Sequence, residues 1–177
     1  MRTVVVEAHE TSENEERDEP GRLVARPWTQ WATLVARLVL AGVLFWAGWV
    51  KFREPPALQR QAVEAYELLP DGLAGAVGYG LPVLEMVLAL LLVVGFATRF
   101  SAVISALLMA VFIAGIASVW ARGLSIDCGC FGGGGAVAAG ETKYPQEILR
   151  DLGYLALALW IAVFPPGRPA LDRRLGL

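Results

Sequence analysis

The stretch LAGAVGYGLPVLEMVLALLLVVGFATRFSAVISALLMAVFIAGIASVWA, residues 73–121, decides the fold of this chain. It contains two long apolar runs, residues 73–97 and 100–121, which are separated only by a Thr-Arg pair. A helix needs about 20 apolar residues to cross the roughly 30 Å hydrocarbon core of a bilayer, and each run meets that length. The short connection predicts that the two helices are antiparallel neighbours in a membrane.

Two further segments extend this pattern. Residues 31–50 form another full-length apolar run. Residues 152–164 give only about 20 Å of apolar helix, so a fourth span must also use the polar stretch PQEILRD that precedes them. Pro145 suits the first turn of that helix, and Pro165 ends it. The sequence predicts an all-α integral membrane four-helix bundle with spans near residues 31–51, 73–97, 100–121 and 145–164.

Composition agrees with a membrane protein. The 177 residues are 56% hydrophobic and 18% charged, with a mean hydropathy of +0.53, whereas soluble domains carry about a quarter charged residues. The net charge is −2 and the basic residues are scattered, which excludes nucleic acid as a partner because phosphate binding needs clustered Lys and Arg. We predict one transmembrane domain in the lipid bilayer, residues 28–166, with tails at residues 1–27 and 167–177.

The first tail is polar and acidic. Residues 7–19 hold seven acids against one Arg17, a composition typical of disorder. The only histidine, His9, lies there and is read as a solvated surface group, so no metal site is predicted. The segment lacks the basic start and short apolar core of a signal peptide. The first apolar run is therefore expected to remain as a membrane anchor.

The connector at residues 53–70 is too polar to span. Its apolar residues recur at helical spacing, which predicts a short helix lying on the membrane interface. These residues are Leu58, Ala62, Ala65, Tyr66 and Leu69.

The distribution of Lys and Arg outside the spans predicts the orientation. Eight lie on one side and six on the other, and Arg99 and Arg168 add weight to the first side because they directly flank spans. Both termini are therefore expected in the cytoplasm of a bacterial inner or plasma membrane, with the loop after the third span outside. The eight are Arg2, Arg17, Arg22, Arg26, Arg99, Arg168, Arg173 and Arg174; the six are Lys51, Arg53, Arg60, Arg122, Lys143 and Arg150.

That outer loop holds both cysteines of the chain, in DCGCFGGGG, residues 127–135. Outside the cytoplasm the environment is oxidising, so disulfides form and persist. A bond between Cys128 and Cys130 closes a ring of three residues and stabilises the fold by only about 1.6 kcal/mol. Small strained disulfides are labile, and Gly129 supplies the backbone freedom that such a ring needs. We predict that Cys128 and Cys130 are catalytic and exchange between dithiol and disulfide.

The surroundings of the pair favour reactivity. Residues 123–144 have no obvious secondary structure, and the glycine run leaves the sulfurs unshielded. Basic side chains on both sides lower the pKa of a thiol, while Asp127 opposes them. Two alternatives stay open, a pair of thiolates holding a soft metal such as Cu(I) or Zn and an inert structural pair. The predicted supporting residues are Arg122, Asp127, Gly129, Phe131, Arg150 and Lys51.

Two ionisable residues fall within the predicted spans. Arg37 lies about 21 Å from the outer end of the first helix, and Glu85 lies about 20 Å down the second. Ionisable groups in a membrane are costly unless paired, so we predict an Arg37–Glu85 pair inside the bundle, as a structural clamp or in proton transfer. Lys51 at the outer helix end either extends to the headgroups or takes part in the chemistry of the loop.

These motifs resemble a known family. ARLVLAGVLFWAGWVKF is similar to the DoxX-type signature R…G..F..AG..K, and GLPVLEMVLALLLVVG is similar to its LP..E element. DCGCFG, followed later by LRDL, resembles the MauE family, the methylamine utilisation membrane proteins of the DoxX-like superfamily. The resemblance covers about residues 30–166. The signature positions are Arg37, Gly42, Gly48, Lys51, Leu81, Pro82 and Glu85.

The resemblance implies a four-helix membrane protein of methylamine metabolism that works with a thioredoxin-like partner to form or maintain disulfides in exported proteins. It also implies kinship with membrane thiol oxidoreductases of the vitamin K epoxide reductase and DsbB types, which pass electrons through two cysteine pairs to a quinone. This chain has one pair, so either the pair meets a quinone directly or the partner supplies the rest. Two other readings remain, a non-catalytic subunit or assembly factor that docks a partner or copper, and a thiosulfate:quinone oxidoreductase subunit of the DoxX type.

Overall fold

A computed structural model describes residues 27–138, 140–164 and 170–172. The described chain is mostly helical and contains one small antiparallel sheet. Nearly all of the predicted acidic tail and most of the predicted C-terminal tail lie outside the described residues. The elements in chain order are α1 (Pro27–Phe52), α2 (Pro56–Glu64), α3 (Asp71–Val94), α4 (Thr98–Ala121), β1 (Ile126–Asp127), β2 (Gly135–Ala136) and α5 (Tyr144–Val163).

Three helices of the described chain are long and apolar enough to cross a membrane. They are Trp28–Phe52, Gly72–Val94 and Thr98–Ala121, which confirms the first three predicted spans apart from their ends. The predicted fourth span is also a helix, α5, but its first half carries charged side chains and it does not meet the same criterion within the described residues.

The predicted Thr-Arg connection between the second and third spans is wrong. Helix α3 ends at Val94 because Gly95 adopts a left-handed conformation with φ +71°, the usual C-cap geometry. Ala97 is also left-handed, at φ +47°, and α4 begins at Thr98. The turn is therefore residues 95–97, and Thr98 and Arg99 already belong to the helix.

The C-terminal segment closes over this turn. The Asp172 carboxylate accepts hydrogen bonds from the backbone N–H groups of Ala97 at 2.7 Å and Thr98 at 2.8 Å. The Asp172 N–H donates to the Gly95 carbonyl at 3.0 Å. Asp172 thus supplies the N-terminal cap that α4 otherwise lacks. The chain after α5 has returned to the end of the molecule where α3 passes into α4.

The four long helices pack around one apolar core. Helix α1 packs most extensively on α3, and α4 on α5, while contacts of α1 with α5 and of α3 with α4 complete the ring. The core consists of small and branched apolar side chains from all four helices: Ala36, Leu40, Ala41, Leu44, Leu88, Ala89, Leu92, Ala102, Ala106, Met109, Ala158 and Ile161.

The helices α1 and α3 approach most closely at Gly48. A Cβ atom at this position would lie 2.8 Å from the Pro82 carbonyl oxygen and 2.9 Å from Met86 Cγ. We expect Gly48→Ala to lower the free energy of unfolding in detergent micelles by about 1–3 kcal/mol, because the added methyl group forces the helices apart. Gly42 has nothing within 4 Å of its Cβ position, so Gly42→Ala is the matched control and should be neutral or stabilising. Equal losses in both variants would contradict the close approach.

The contact at Gly48 also fixes the register of the two helices. Gly48 lies one turn before the end of α1, whereas its neighbours Pro82 and Met86 lie about three and four turns into α3. The first turns of α3 therefore extend past α1 and pack against α2, where a Cβ at Gly78 would meet the Gln59 carbonyl oxygen at 2.7 Å. Helix α2 is shorter than the predicted connector helix, and its position at a membrane interface stays a prediction.

Candidate functional site

The loop that carries the cysteines is ordered rather than irregular. Strands β1 and β2 pair in antiparallel fashion, with Ile126 opposite Ala136 and Asp127 opposite Gly135. Glycines 132–135 all have positive φ angles between 73° and 110°, so this run is required by the backbone path. A Cβ at Gly134 would lie 2.7 Å from Ala62 Cβ, which shows that the glycines let α2 lie directly on the loop.

Both sulfurs are consequently covered, and the prediction of unshielded cysteines is wrong. Cys128 is 9% exposed and Cys130 is 5% exposed, and both thiols are free. They pack with apolar side chains at the end of α4 and the start of α5. The glycine run indicates a close approach of two backbones here, and not an open loop.

Hydrogen bonds from three directions hold the loop in place. The Tyr66 hydroxyl donates to the Cys128 carbonyl at 2.8 Å, and the Gly133 N–H donates to the Glu54 carboxylate. The Tyr144 hydroxyl accepts from the Ile126 N–H at 2.9 Å and donates to the Leu124 carbonyl at 2.7 Å. The position of the sulfurs therefore depends on the residues that directly follow α1 and α2 and on the first residue of α5.

Cys128 lies beside a cation. Nη2 of Arg150 is 3.9 Å from the Cys128 sulfur, and the backbone N–H of Cys130 lies 3.4 Å from the same sulfur. Asp127 turns back onto the loop and accepts a hydrogen bond from the Gly129 N–H at 3.2 Å. Gly129 has φ +64°, so the turn between the cysteines is left-handed and suits glycine.

Cys130 faces a buried carboxylate instead. Its sulfur is 3.9 Å from Oδ2 of Asp151, which is 2% exposed. Arg150 connects the two halves of the site, since its Nε donates to Asp151 Oδ1 at 3.0 Å and its guanidinium carbon lies 4.6 Å from the Phe131 ring centre. The two thiols thus share one arginine but differ in their nearest charge.

This difference separates the pKa values of the two thiols. The pKa of Cys128 is lowered, because the Cys130 thiol hydrogen-bonds to its sulfur and Arg150 adds a further charged donor, and these effects outweigh burial. The pKa of Cys130 is raised by that same shared hydrogen bond, by burial and by the negative charges of Cys128 and Asp151. Because the thiolate is the nucleophile, Cys128 is the reactive member of the pair.

This asymmetry predicts how alkylation of the reduced protein depends on pH. Because the pKa of Cys128 is lowered, a larger fraction of it is thiolate at a given pH than for an ordinary cysteine, whereas the raised pKa of Cys130 keeps that thiol protonated. At pH 7 we expect iodoacetamide to modify Cys128 at least about tenfold faster than Cys130. Site-resolved mass spectrometry measures both rates.

The control for this experiment removes the cation. Arg150→Gln should shift the pH profile of Cys128 alkylation to higher pH, because the charged donor that helps to lower its pKa is gone. Equal rates at the two cysteines of the wild-type protein would show that the pair is not polarised in this way.

The predicted Arg37–Glu85 pair is wrong. Glu85 pairs with Lys51, whose Nζ lies 2.5 Å from Glu85 Oε1, and both side chains are buried. Arg37 is buried at the other end of the bundle, where its Nη1 would lie 2.7 Å from a Cβ on Gly95 and where Asp172 supplies the nearby negative charge. The depth comparison assumed that α1 and α3 end level, but α3 extends past α1, so Glu85 lies near the outer end of α1.

Lys51 consequently points inward. Its ammonium group also lies 5.1 Å from the centre of the Phe112 ring. Of the two readings of this residue, extension to the headgroups is wrong. Lys51 and Glu85 lie at the inner boundary of the cysteine site.

The family comparison covers the helices and the cysteine loop described above. The family described as Methylamine utilisation protein MauE matches residues 29–164. The chain belongs to the MauE family. That match spans all the long helices and the cysteine loop, so the predicted family is confirmed and points to a membrane protein of methylamine utilisation. No curated protein and no solved structure matches the chain significantly.

Not every residue predicted to support the pair in this MauE chain lies beside it. Arg122 donates to the Tyr66 carbonyl and lies 3.6 Å from Glu67, so it reaches the cysteines only through Tyr66. Asp127, Gly129, Phe131 and Arg150 do surround the pair.

Sequence reasoning missed the acids of α5. Glu147 and Asp151 are four residues apart, and both interact with the thiols. That spacing places two side chains on one face of a helix, which was the available signal. Sequence reasoning also missed the contact of Tyr66 with the cysteine loop, because it assigned Tyr66 only to the apolar face of an interfacial helix.

One cluster, formed by the cysteine loop and α5, brings three possible metal ligands together. The ligand atoms of Asp127, Cys128 and Glu147 lie within 4.8 Å of one another. Carboxylates suit hard cations and thiolates suit soft ones, so two acids and one sulfur are a poor match for Cu(I).

Proposed function

We propose that this MauE family protein is a membrane thiol-disulfide redox protein. Cys128 and Cys130 exchange electrons with a thioredoxin-like partner outside the cytoplasm, and so form or maintain disulfides in exported proteins. The observation that supports this most directly is the polarised pair. One thiol lies beside Arg150, the other beside Asp151, and an exchange centre needs one sulfur that attacks and one that resolves.

The proposed topology makes α5 the fourth crossing. Its apolar second half exposes large side chains, among them Leu159 and Val163, and Asp172 returns to the turn between α3 and α4. In the charged first half of α5, Arg150 and Asp151 contact the cysteine loop, which compensates for the low hydropathy of this half. In this topology both termini and Arg99 lie on the cytoplasmic side, and the loop lies on the extracytoplasmic side.

Exchange proceeds through Cys128. The Cys128 thiolate attacks a disulfide of the partner, so that the partner S–S bond breaks, one partner sulfur leaves as a thiolate and the other forms a mixed disulfide with Cys128. The Cys130 sulfur then displaces that second partner sulfur and closes the intramolecular disulfide, and the partner leaves as a dithiol. Asp151, 3.9 Å from the Cys130 sulfur, is placed to take the thiol proton at that step. The same two steps in reverse oxidise the dithiol of the partner to a disulfide and return the pair to the dithiol. Since both sulfurs are buried, a protein partner gains access when the cysteine loop moves away from α2, where Gly129 and Gly134 lie against Ala62.

The test of this function is the redox state of the pair in cells. Acid quenching followed by differential alkylation should find both dithiol and disulfide forms, and a mild reductant should shift the balance towards the dithiol. The double variant Cys128→Ser, Cys130→Ser should lose partner oxidation while retaining its Tm. A pair that stays in one state under both conditions, or a double variant with intact partner oxidation, would overturn the proposal.

A further inference from the structure

Three potential metal ligands converge where the cysteine loop meets α5. Asp127 ends strand β1, Cys128 follows it in the loop, and Glu147 lies in the first turn of α5. One ligand atom of each residue lies within 4.8 Å of the other two. A zinc ion bonded tetrahedrally at about 2.0–2.3 Å holds its ligand atoms about 3.3–3.8 Å apart. Small rotations of the two carboxylate side chains close that difference.

Glu147 supplies an observation that is independent of this clustering. Its side chain interacts with Cys128, and its Oε2 atom is buried without a hydrogen-bond partner among the described residues. A buried oxygen that lacks a donor destabilises the fold. A cation bound between the carboxylate and the thiolate supplies the missing partner.

The charges around Cys128 also favour a cation. Glu147 adds negative charge beside the sulfur, and Asp127 is near enough for the two carboxylates to repel each other. The nearby Arg150 balances Asp151 instead, to which its Nε donates at 3.0 Å. A divalent ion among the three ligands removes the repulsion, because it becomes the largest charge in the site.

The mixture of ligands selects the ion. Zn²⁺ accepts both cysteine sulfur and carboxylate oxygen, whereas Ca²⁺ and Mg²⁺ require oxygen and Cu(I) prefers sulfur. We infer that Asp127, Cys128 and Glu147 form a Zn²⁺ site in the reduced protein. Three protein ligands leave the fourth position of a tetrahedral ion to water. Cys130 is not a ligand, which distinguishes this site from one made of the two thiolates.

The site has an entry path and a supporting shell. Asp127 is exposed whereas Cys128 is 9% exposed, so an ion reaches the sulfur along Asp127 without separating the loop from α2. The Gly129 N–H donates to Asp127 Oδ1 at 3.2 Å and leaves Oδ2 for the ion. Outer hydrogen bonds of this kind orient the ligands of metal sites.

Bound zinc blocks the reactive sulfur. When the Zn–S bond forms, any proton on Cys128 is released to solvent and no electrons are transferred. The sulfur lone pair is then held by the ion and does not attack a partner disulfide. Zinc is therefore a reversible inhibitor of exchange. The inhibition rests on the proposed function, whereas the binding of zinc does not.

Zinc titration of the reduced, full-length protein in lipid nanodiscs tests the site. We expect one zinc ion per chain, and cadmium in its place should show the ultraviolet absorption of a cadmium–thiolate bond. Bound zinc should slow modification of Cys128 by iodoacetamide at least about tenfold, because the ion holds the thiolate, and EDTA should restore the rate. A protein that binds no zinc, or whose Cys128 stays equally reactive with zinc bound, would overturn the inference.

Matched substitutions identify the ligands. Glu147→Gln and Asp127→Asn should each weaken zinc binding at least about tenfold, whereas Glu141→Gln alters an exposed acid outside the cluster and should leave it unchanged. Cys128→Ser should lose the ion and Cys130→Ser should keep it. The Tm of each variant without zinc checks its folding. Equal effects of Glu147→Gln and Glu141→Gln, or loss of the ion in Cys130→Ser, would contradict the site.

The zinc site and the redox function fail separately. Zinc bound by a pair that never changes its redox state would support the site and overturn the proposed function. A redox-active pair in a protein that binds no zinc would do the reverse.

Discussion

Lys51→Met is expected to lower the free energy of unfolding by about 3–5 kcal/mol, because it leaves the carboxylate of Glu85 buried without its cation. The side chain of Glu85 is 1% exposed and its ion pair with Lys51 measures 2.5 Å. Its other oxygen, Oε2, has no hydrogen-bond partner among the described residues. Glu85→Met alone should lower the free energy of unfolding by a similar amount, because it leaves the ammonium group of Lys51 buried without its carboxylate.

The double variant distinguishes a buried ion pair from two residues that contribute independently to the free energy of unfolding. Lys51→Met combined with Glu85→Met should be more stable than either single variant, since two apolar side chains of similar volume replace both charges. Denaturant titration of the four proteins in one detergent measures the coupling. Additive losses would contradict the pairing.

Arg37 provides the control for that cycle. It is buried like Lys51 but lies about four turns earlier in α1, near Gly95. Arg37→Met should therefore be additive with Glu85→Met within about 0.5 kcal/mol, as expected for distant sites. A strong coupling between Arg37 and Glu85 would restore the pair predicted from sequence and reject the register of the structure.

The spans were predictable because run length and hydropathy determine them almost alone. The turn between α3 and α4 was not, since Gly95, Phe96 and Ala97 are as apolar as the helices they connect. Only the left-handed angles of Gly95 and Ala97 mark it. Composition identifies what lies in a membrane, whereas a turn depends on backbone angles that composition does not encode.

The partner of Glu85 was missed for a related reason. Measuring depth from the polar end of each span requires that the ends of neighbouring helices are level. The end of α1 and the start of α3 are offset by about two turns. The residues between Phe52 and Asp71 do not reveal this offset, because α2 lies within them and packs beside the start of α3. Offsets of this kind are set by packing at positions such as Gly48, where the fit depends on both helices.

The two reactive cysteines of the candidate site were predictable from the sequence, but the residues that surround them were not. The chain has only two cysteines and a single glycine separates them, so the sequence indicates a candidate reactive pair. Their burial depends on Ala62 from a different helix, and their charges come from Glu147 and Asp151 some 20 residues later. These contacts are non-local, so sequence spacing around the cysteines does not reveal them.

The largest functional effect is expected from replacing one cysteine at a time. In the proposed mechanism Cys128 forms the mixed disulfide and Cys130 resolves it. Cys130→Ser removes the resolving sulfur, so the partner should stay covalently attached to Cys128. Cys128→Ser leaves only the more buried thiol with the raised pKa, and little adduct should form.

Trapping this adduct tests the central claim most directly. Membranes that contain each single variant are quenched with acid, alkylated and separated without reductant, and mass spectrometry identifies the bonded cysteine. We expect Cys130→Ser to carry a reductant-sensitive adduct to an extracytoplasmic thioredoxin-like protein through Cys128, in clear excess over Cys128→Ser. The absence of an adduct from both variants, or an adduct with a cytoplasmic protein, would contradict the proposal that the pair exchanges disulfides outside the cell membrane.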